Sequence, residues 1–194
     1  MRKIHSREHE EKRRKKNRLA LVFIMIFVLF GSVFGIIVNS FDNNSSTSST
    51  KYNGFSFTQS GNFWTTSINS LNLNFVYNPL ETENLSYENN LTRSYGSYNK
   101  IPVYIYSEDS SSEIEVYKNL FSLAERVQNA CPEGKQCNNT DWPVKDCSEN
   151  LIIIQVSDKN KITQNQNCVY IQGQKEDLLK LSDEFLFRIF GIKK

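Results

Sequence analysis

The chain has 194 residues, 39% of them hydrophobic and 23% charged, with 23 Lys+Arg against 21 Asp+Glu. This composition argues against wholesale disorder, and a net charge of +2 is far from the strong basic excess of a nucleic-acid binder. The near-zero sum hides a gradient: residues 1–18 carry +6, residues 19–38 carry no charge and residues 39–194 carry −4.

In chain order, Leu19 to Val38 reads LALVFIMIFVLFGSVFGIIV, 20 residues in which Ser32 is the one polar side chain. As a helix it spans about 30 Å, the thickness of a bilayer's hydrocarbon core. Nine basic residues precede it and Lys51 is the first to follow. The positive-inside rule therefore places the N-terminus in the cytoplasm and the rest outside. The predicted organisation is a basic cytoplasmic tail (1–18), a transmembrane helix (19–38), a flexible Ser/Thr/Asn linker (39–51) and an exterior domain (52–192). The rival reading is a cleaved signal peptide, but a signal h-region typically runs only about 7–15 residues. Gly31 and Gly35 form a GxxxG pair, a candidate helix–helix contact through which the chain would oligomerise.

Beyond the linker, Phe55/Phe57, Phe63–Ile68 and Leu71–Tyr77 alternate apolar with polar residues, separated by turns at Gly61-Asn62 and Asn69-Ser70. This pattern predicts a three-stranded antiparallel meander with one apolar face. Ile101–Ser107 predicts a further strand. Ser112-x-x-Glu115 has the form of a capping box. It opens a predicted helix that runs to Cys131 with a buried stripe of Ile114, Tyr117, Leu120, Phe121, Ala124 and Val127. Leu151–Val156 is a strand buried on both faces, and Cys168–Gln172 is another, with a short extra strand near Lys161–Gln164. Lys175–Phe190 is a second helix, stopped by Gly191. The expected fold is α+β in order β-β-β-β-α-β-β-α: a two-layer domain with a mixed, mainly antiparallel sheet covered by two helices.

All four cysteines, Cys131, Cys137, Cys147 and Cys168, lie on the exported side, where an even count reads as disulfides. A four-thiolate zinc site is the alternative, but no CxxC occurs and residues 39–194 contain no His. Three connectivities are open. The favoured one is Cys131–Cys137 with Cys147–Cys168, and the second bridge requires the strands at 151 and 168 to run parallel or to have a short strand between them.

The missing histidines exclude Ser-His-Asp and Cys-His catalysis and the usual His-based metal centres. The neighbouring acids Glu108/Asp109, Asp146/Glu149 and Asp183/Glu184 match no calcium-loop pattern and read as solvated surface groups. No cofactor, metal, nucleic acid or catalytic role is expected. Asn43, Asn44, Asn84, Asn90 and Asn138 stand in Asn-x-Ser/Thr triplets, candidate glycan acceptors in an exported domain. Trp64 and Trp142, with Tyr95, Tyr98, Tyr104 and Tyr106, are candidate contact residues. Trp142 in the Cys loop is the better one, since Trp64 fits the apolar face of the meander.

The basic tail, the anchor, YNGFSF…GNFW…LNLNFVYNP, ACPEGKQC…WPVKDCSENLIII and CVYIQG…DLLKLSDEFLFRIFGI together resemble a group of single-pass membrane proteins of small-genome archaea. The resemblance implies topology and no chemistry. The expected function is a membrane-anchored cell-envelope protein that presents a disulfide-stabilised interaction domain to another envelope protein. The alternatives are an extracytoplasmic ligand-binding or sensory module and a His-independent hydrolase.

Overall fold

The computed structural model describes residues 16–28 and 48–194, and the chain divides into two units, Met1–Ser46 and Thr47–Lys194. In the first unit residues 16–28 are helical (α1). Among the described residues no helix is long and apolar enough to cross a membrane. Positions 29–38 of the predicted span, with Gly31 and Gly35, lie outside the described residues, as do Asn43 and Asn44.

The second unit is α+β, as expected, but built in three layers rather than two. β1 (Ser49–Tyr52), β2 (Phe55–Ser60), β3 (Phe63–Ile68) and β4 (Leu71–Phe75) form an antiparallel sheet of their own in that order. A second sheet has the order β5-β11-β12-β10-β6-β7, where β5 is Glu88–Asn89, β6 Val103–Ser107, β7 Val127–Asn129, β10 Leu151–Val156, β11 Lys161–Asn165 and β12 Cys168–Gly173. The short strands β8 (Cys131–Pro132) and β9 (Val144–Lys145) pair within the Cys loop. Helices α2 (Ser110–Phe121) and α3 (Leu178–Ile189) lie between the two large sheets, with α2 against β4 and β6 and α3 against β12.

The meander stays separate because its apolar face has a different target from that of the second sheet. Phe57, Leu73 and Phe75 point inward and are fully or almost fully buried. The Phe187 ring of α3 reaches them, 6.2 Å from Phe57 and 4.8 Å from Phe75, spacings at which aromatic pairs attract. Nine of the twelve α3 residues are buried, so this helix is covered on more than one side. Its other flank meets Ile152, Ile154, Val169 and Ile171 of the second sheet in the same core.

β1 lies inside the predicted linker. Asn53 and Gly54 take positive φ of 46° and 85°, the two-residue hairpin conformation that Asn-Gly favours. They fold Ser49–Tyr52 back onto β2. The second sheet is mainly parallel rather than mainly antiparallel: β10 runs parallel to both β12 and β6, and β6 to β7. β10 leads to β11, which leaves a one-strand gap, and β12 returns antiparallel to β11 to fill it. The extra strand anticipated near Lys161–Gln164 thus supplies the parallel pairing with no crossover helix. At the end of β12 a Cβ on Gly173 would lie 2.5 Å from Leu181 Cδ1 and from Asn160 Oδ1. A side chain there would have to displace Leu181 or Asn160 where α3 docks.

α2 departs from its predicted form in three ways. Its N-cap is Asp109, whose carboxylate accepts from the Ser112 main-chain N–H at 2.9 Å, so the Ser112–Glu115 capping box does not form. It ends at Phe121 and not near Cys131, because the strands capture the next residues: Lys100 N–H donates to Leu123 O, Glu125 N–H to Ile101 O, and Val127 pairs with Val103. Its buried face is Ser112, Glu115, Val116, Asn119 and Leu120, while Ile114, Tyr117 and Phe121 are exposed. The buried polar residues are all used. Asn119 replaces a missing fifth strand on the free edge of β4: its Oδ1 accepts from Asn74 N–H at 2.9 Å and its Nδ2 donates to Asn74 O at 2.8 Å. Asn119→Ala is expected to cost about 1–3 kcal/mol by stranding these groups. Denaturant titration measures the loss, and hydrogen exchange should place it at the Asn74 amide.

Candidate functional site

Both predicted disulfides form, Cys131–Cys137 with Cα atoms 5.9 Å apart and Cys147–Cys168 at 4.9 Å. No free cysteine remains, which removes the four-thiolate zinc alternative. Cys168 is fully buried, on the sheet face that turns away from the helices, with Tyr104, Leu151, Ile153 and Ala130. The Cys loop covers that face.

The predicted aromatic surface is not assembled. Tyr98 and Tyr104 are buried, at 0% and 2% exposure, and Trp64 at 8% packs inside the meander. Trp142 is half-buried in its turn, and Tyr95 stays exposed. Asn84, Asn90 and Asn138 are exposed. Among the predicted acid pairs, Asp109 caps α2 and Glu108 accepts from Val156 N–H and pairs with Lys135. Asp146 binds the Ser148 amide and Glu149 pairs with Lys145.

Asp183 and Glu184, expected on a solvated helix surface, are instead buried at 0% and 1% exposure. They sit on the flank of α3 that the meander and the segment after β4 cover. Sequence reasoning assigned that flank to solvent because only one sheet was expected. Two acids directly before the apolar run Phe185-Leu186-Phe187 were the available signal.

Glu184 anchors the best-built concavity of the domain, a cleft of about 670 Å³ between β1, the 82–87 segment and the end of α3. One carboxylate oxygen pairs with the Lys193 ammonium, which also donates to Thr82 Oγ1 at 3.0 Å. The other accepts from the Tyr87 hydroxyl at 2.6 Å, and that hydroxyl oxygen in turn accepts from Arg188 Nε at 2.8 Å. Burial first, and then the bond to Glu184, hold the Tyr87 phenol well above its ordinary range, so it stays a proton donor. Lys193 lies 5.6 Å from the centre of the Tyr52 ring, and Arg188 5.4 Å from that of Tyr87, within cation–π reach. The result is a cleft with aromatic walls and a saturated charged floor. Arg188, Lys193, Tyr87 and Tyr52 had no sequence motif to mark them. Two other concavities are less developed: a trough of about 660 Å³ along the Ser/Thr/Asn outer face of the meander, and one of about 350 Å³ beside Cys147–Cys168.

No protein-family model, curated protein or solved structure matches this chain.

Proposed function

We propose that the chain is a single-pass, membrane-anchored protein of the cell envelope, with its N-terminus in the cytoplasm, that presents residues 48–194 outside the membrane as a non-catalytic interaction domain. The carrying observation is the exposure of α1: its apolar side chains from Leu19 to Val28 are solvent-accessible, from 45% at Ile26 to 81% at Phe27. That much bare hydrocarbon in a row marks a membrane or protein contact, and the uncharged run continues in sequence to Val38. Two disulfides suit an oxidising exterior. A second reading, an extracytoplasmic ligand-binding module, is favoured by the Glu184 cleft, where aromatic walls and fixed charges converge.

The test fractionates cells that express the full chain and a version lacking residues 1–38. The full chain should stay in the membrane pellet through alkaline carbonate washing, and protease added to intact cells should remove residues 48–194. Release by carbonate, or protection from external protease, would overturn the proposal. A photocrosslinker at Tyr52 in the cleft and another at Ser56 on the meander's outer face then separate the two readings. Adducts to an envelope protein from either site support the interaction domain, and small-molecule protection of Tyr52 alone supports the ligand-binding module.

A further inference from the structure

We propose that Asp183 and Glu115 share one proton, and that this proton is an acid-set latch joining α3 to α2 and to the segment that follows β4. The geometry leaves one place for it. Asp183 Oδ2 accepts from the Tyr77 main-chain N–H at 2.9 Å, while Oδ1 is buried with no donor in reach. Glu115, itself 2% exposed, is the neighbouring carboxyl that acts on Asp183. Both Glu115 oxygens are already engaged, Oε1 by Asn119 Nδ2 at 3.3 Å and Oε2 by Lys118 at 2.7 Å. Two carboxylates form no hydrogen bond with each other unless one carries a hydrogen.

The charge balance requires the same proton. The cluster holds two carboxyls and one ammonium, Lys118, so only an added proton makes it neutral. An uncompensated charge buried in such a site is strongly destabilising. The groups facing Asp183 are Glu115 and Lys118 from α2 and the Tyr77 amide from the segment after β4. On α3, Lys180 stacks 5.3 Å from the Tyr77 ring centre, and Glu184 turns to the cleft and pairs with Lys193. Burial, followed by the Glu115 charge, pushes the Asp183 carboxyl well above the usual carboxylate range. The latch holds Tyr77, and the same segment carries Thr82 and Tyr87 into the cleft wall. Loss of the proton would therefore loosen that wall from behind.

Linkage fixes the sign. A carboxyl whose folded pKa lies above its unfolded value contributes stability that is full at low pH and lost as pH rises through the folded pKa. Between the two values the folding constant should fall about tenfold per pH unit. The test compares the full, disulfide-intact chain with Asp183→Asn and Glu115→Gln by denaturant titration from about pH 4 to about pH 9. An amide at 183 still accepts from Tyr77 and donates to Glu115 permanently. A glutamine at 115 removes the like charge and leaves the effect of burial. Asp183→Asn should therefore lose the one-proton slope that the wild type shows, and Glu115→Gln should lose it only in part, with the slope displaced from its wild-type position. Infrared difference spectra should show a protonated-carboxyl carbonyl band at neutral pH in the wild type and none in Asp183→Asn. Hydrogen exchange at the Tyr77 amide, corrected for intrinsic rates, should accelerate with pH in the wild type and not in Asp183→Asn. Equal slopes in all three proteins, or no carboxylic-acid band in the wild type, would overturn the latch. Should one variant fail to fold, the other and the wild-type spectrum decide.

Discussion

Lys193→Ala is expected to destabilise the domain of residues 48–194 by about 3–5 kcal/mol, the usual result of removing one partner from a buried ion pair. The lysine side chain is 9% exposed and that of Glu184 2%. Truncation leaves a carboxylate held by the Tyr87 hydroxyl with no cation in contact. The pH dependence of the loss identifies its origin. A protonated carboxyl carries no charge to compensate, so the penalty should be absent at low pH and present at neutral pH. Denaturant titrations of wild type and Lys193→Ala at acidic and neutral pH should therefore diverge only at the higher value. The double variant Lys193→Met, Glu184→Leu should recover most of the loss, since a buried pair replaced by apolar groups of similar size is often neutral or stabilising. If the single variant costs less than about 1 kcal/mol, the value of an exposed pair, or loses stability equally at both pH values, then Glu184 and Lys193 are not the floor of the cleft.

The contrast between the two acids at 183–184 and the four cysteines shows what the sequence could carry. The cysteine pairing was legible because a disulfide ties local spacing to geometry. A Cys147–Cys168 bridge demanded parallel strands or a strand between, and β10, β11 and β12 provide both. The meander strands were legible from their period of two. The hairpin that makes β1 was also written, as Asn53-Gly54 ahead of Phe55, but Ser49–Lys51 look like linker because their strand lies on an edge and buries little. The number of sheets was not legible. Alternation shows that the meander has an apolar face but not what covers it, so one sheet was expected where two clasp the helices. The reversed face of α2 and the buried acids of α3 both follow from that second sheet. On α2 the apolar Ile114, Tyr117 and Phe121 face out, while Glu115 and Asn119 face in, because Lys118 pairs with Glu115 and the Asn74 main chain satisfies Asn119. Burial of polar groups depends on partners distant in sequence, and hydrophobic periodicity contains no record of them.

Replacing Cys147 and Cys168 together by Ser should cost about 3 kcal/mol and should exceed the loss from the Cys131/Cys137 pair by about 1 kcal/mol, since closing the longer loop removes more freedom from the unfolded chain. The bridges close separations of 21 and 6 residues. Their native surroundings act in the same direction. Cys168 is buried in register with Leu151, so its bridge fixes the β10–β12 pairing at the point where the chain must cross past β11. Cys131–Cys137 restrains a surface turn after β7, where Lys135, Gln136 and Cys137 are exposed or half-buried. Loss of the first bridge should lower hydrogen-exchange protection across β11 and β12 while the meander changes little. Loss of the second should loosen the Cys loop and leave the second sheet protected. Urea titrations of the two Ser pairs, with exchange mapped by segment, check both the order and the location. Equal losses, or a larger loss from the shorter loop, would mean that Cys147–Cys168 does not set the strand register.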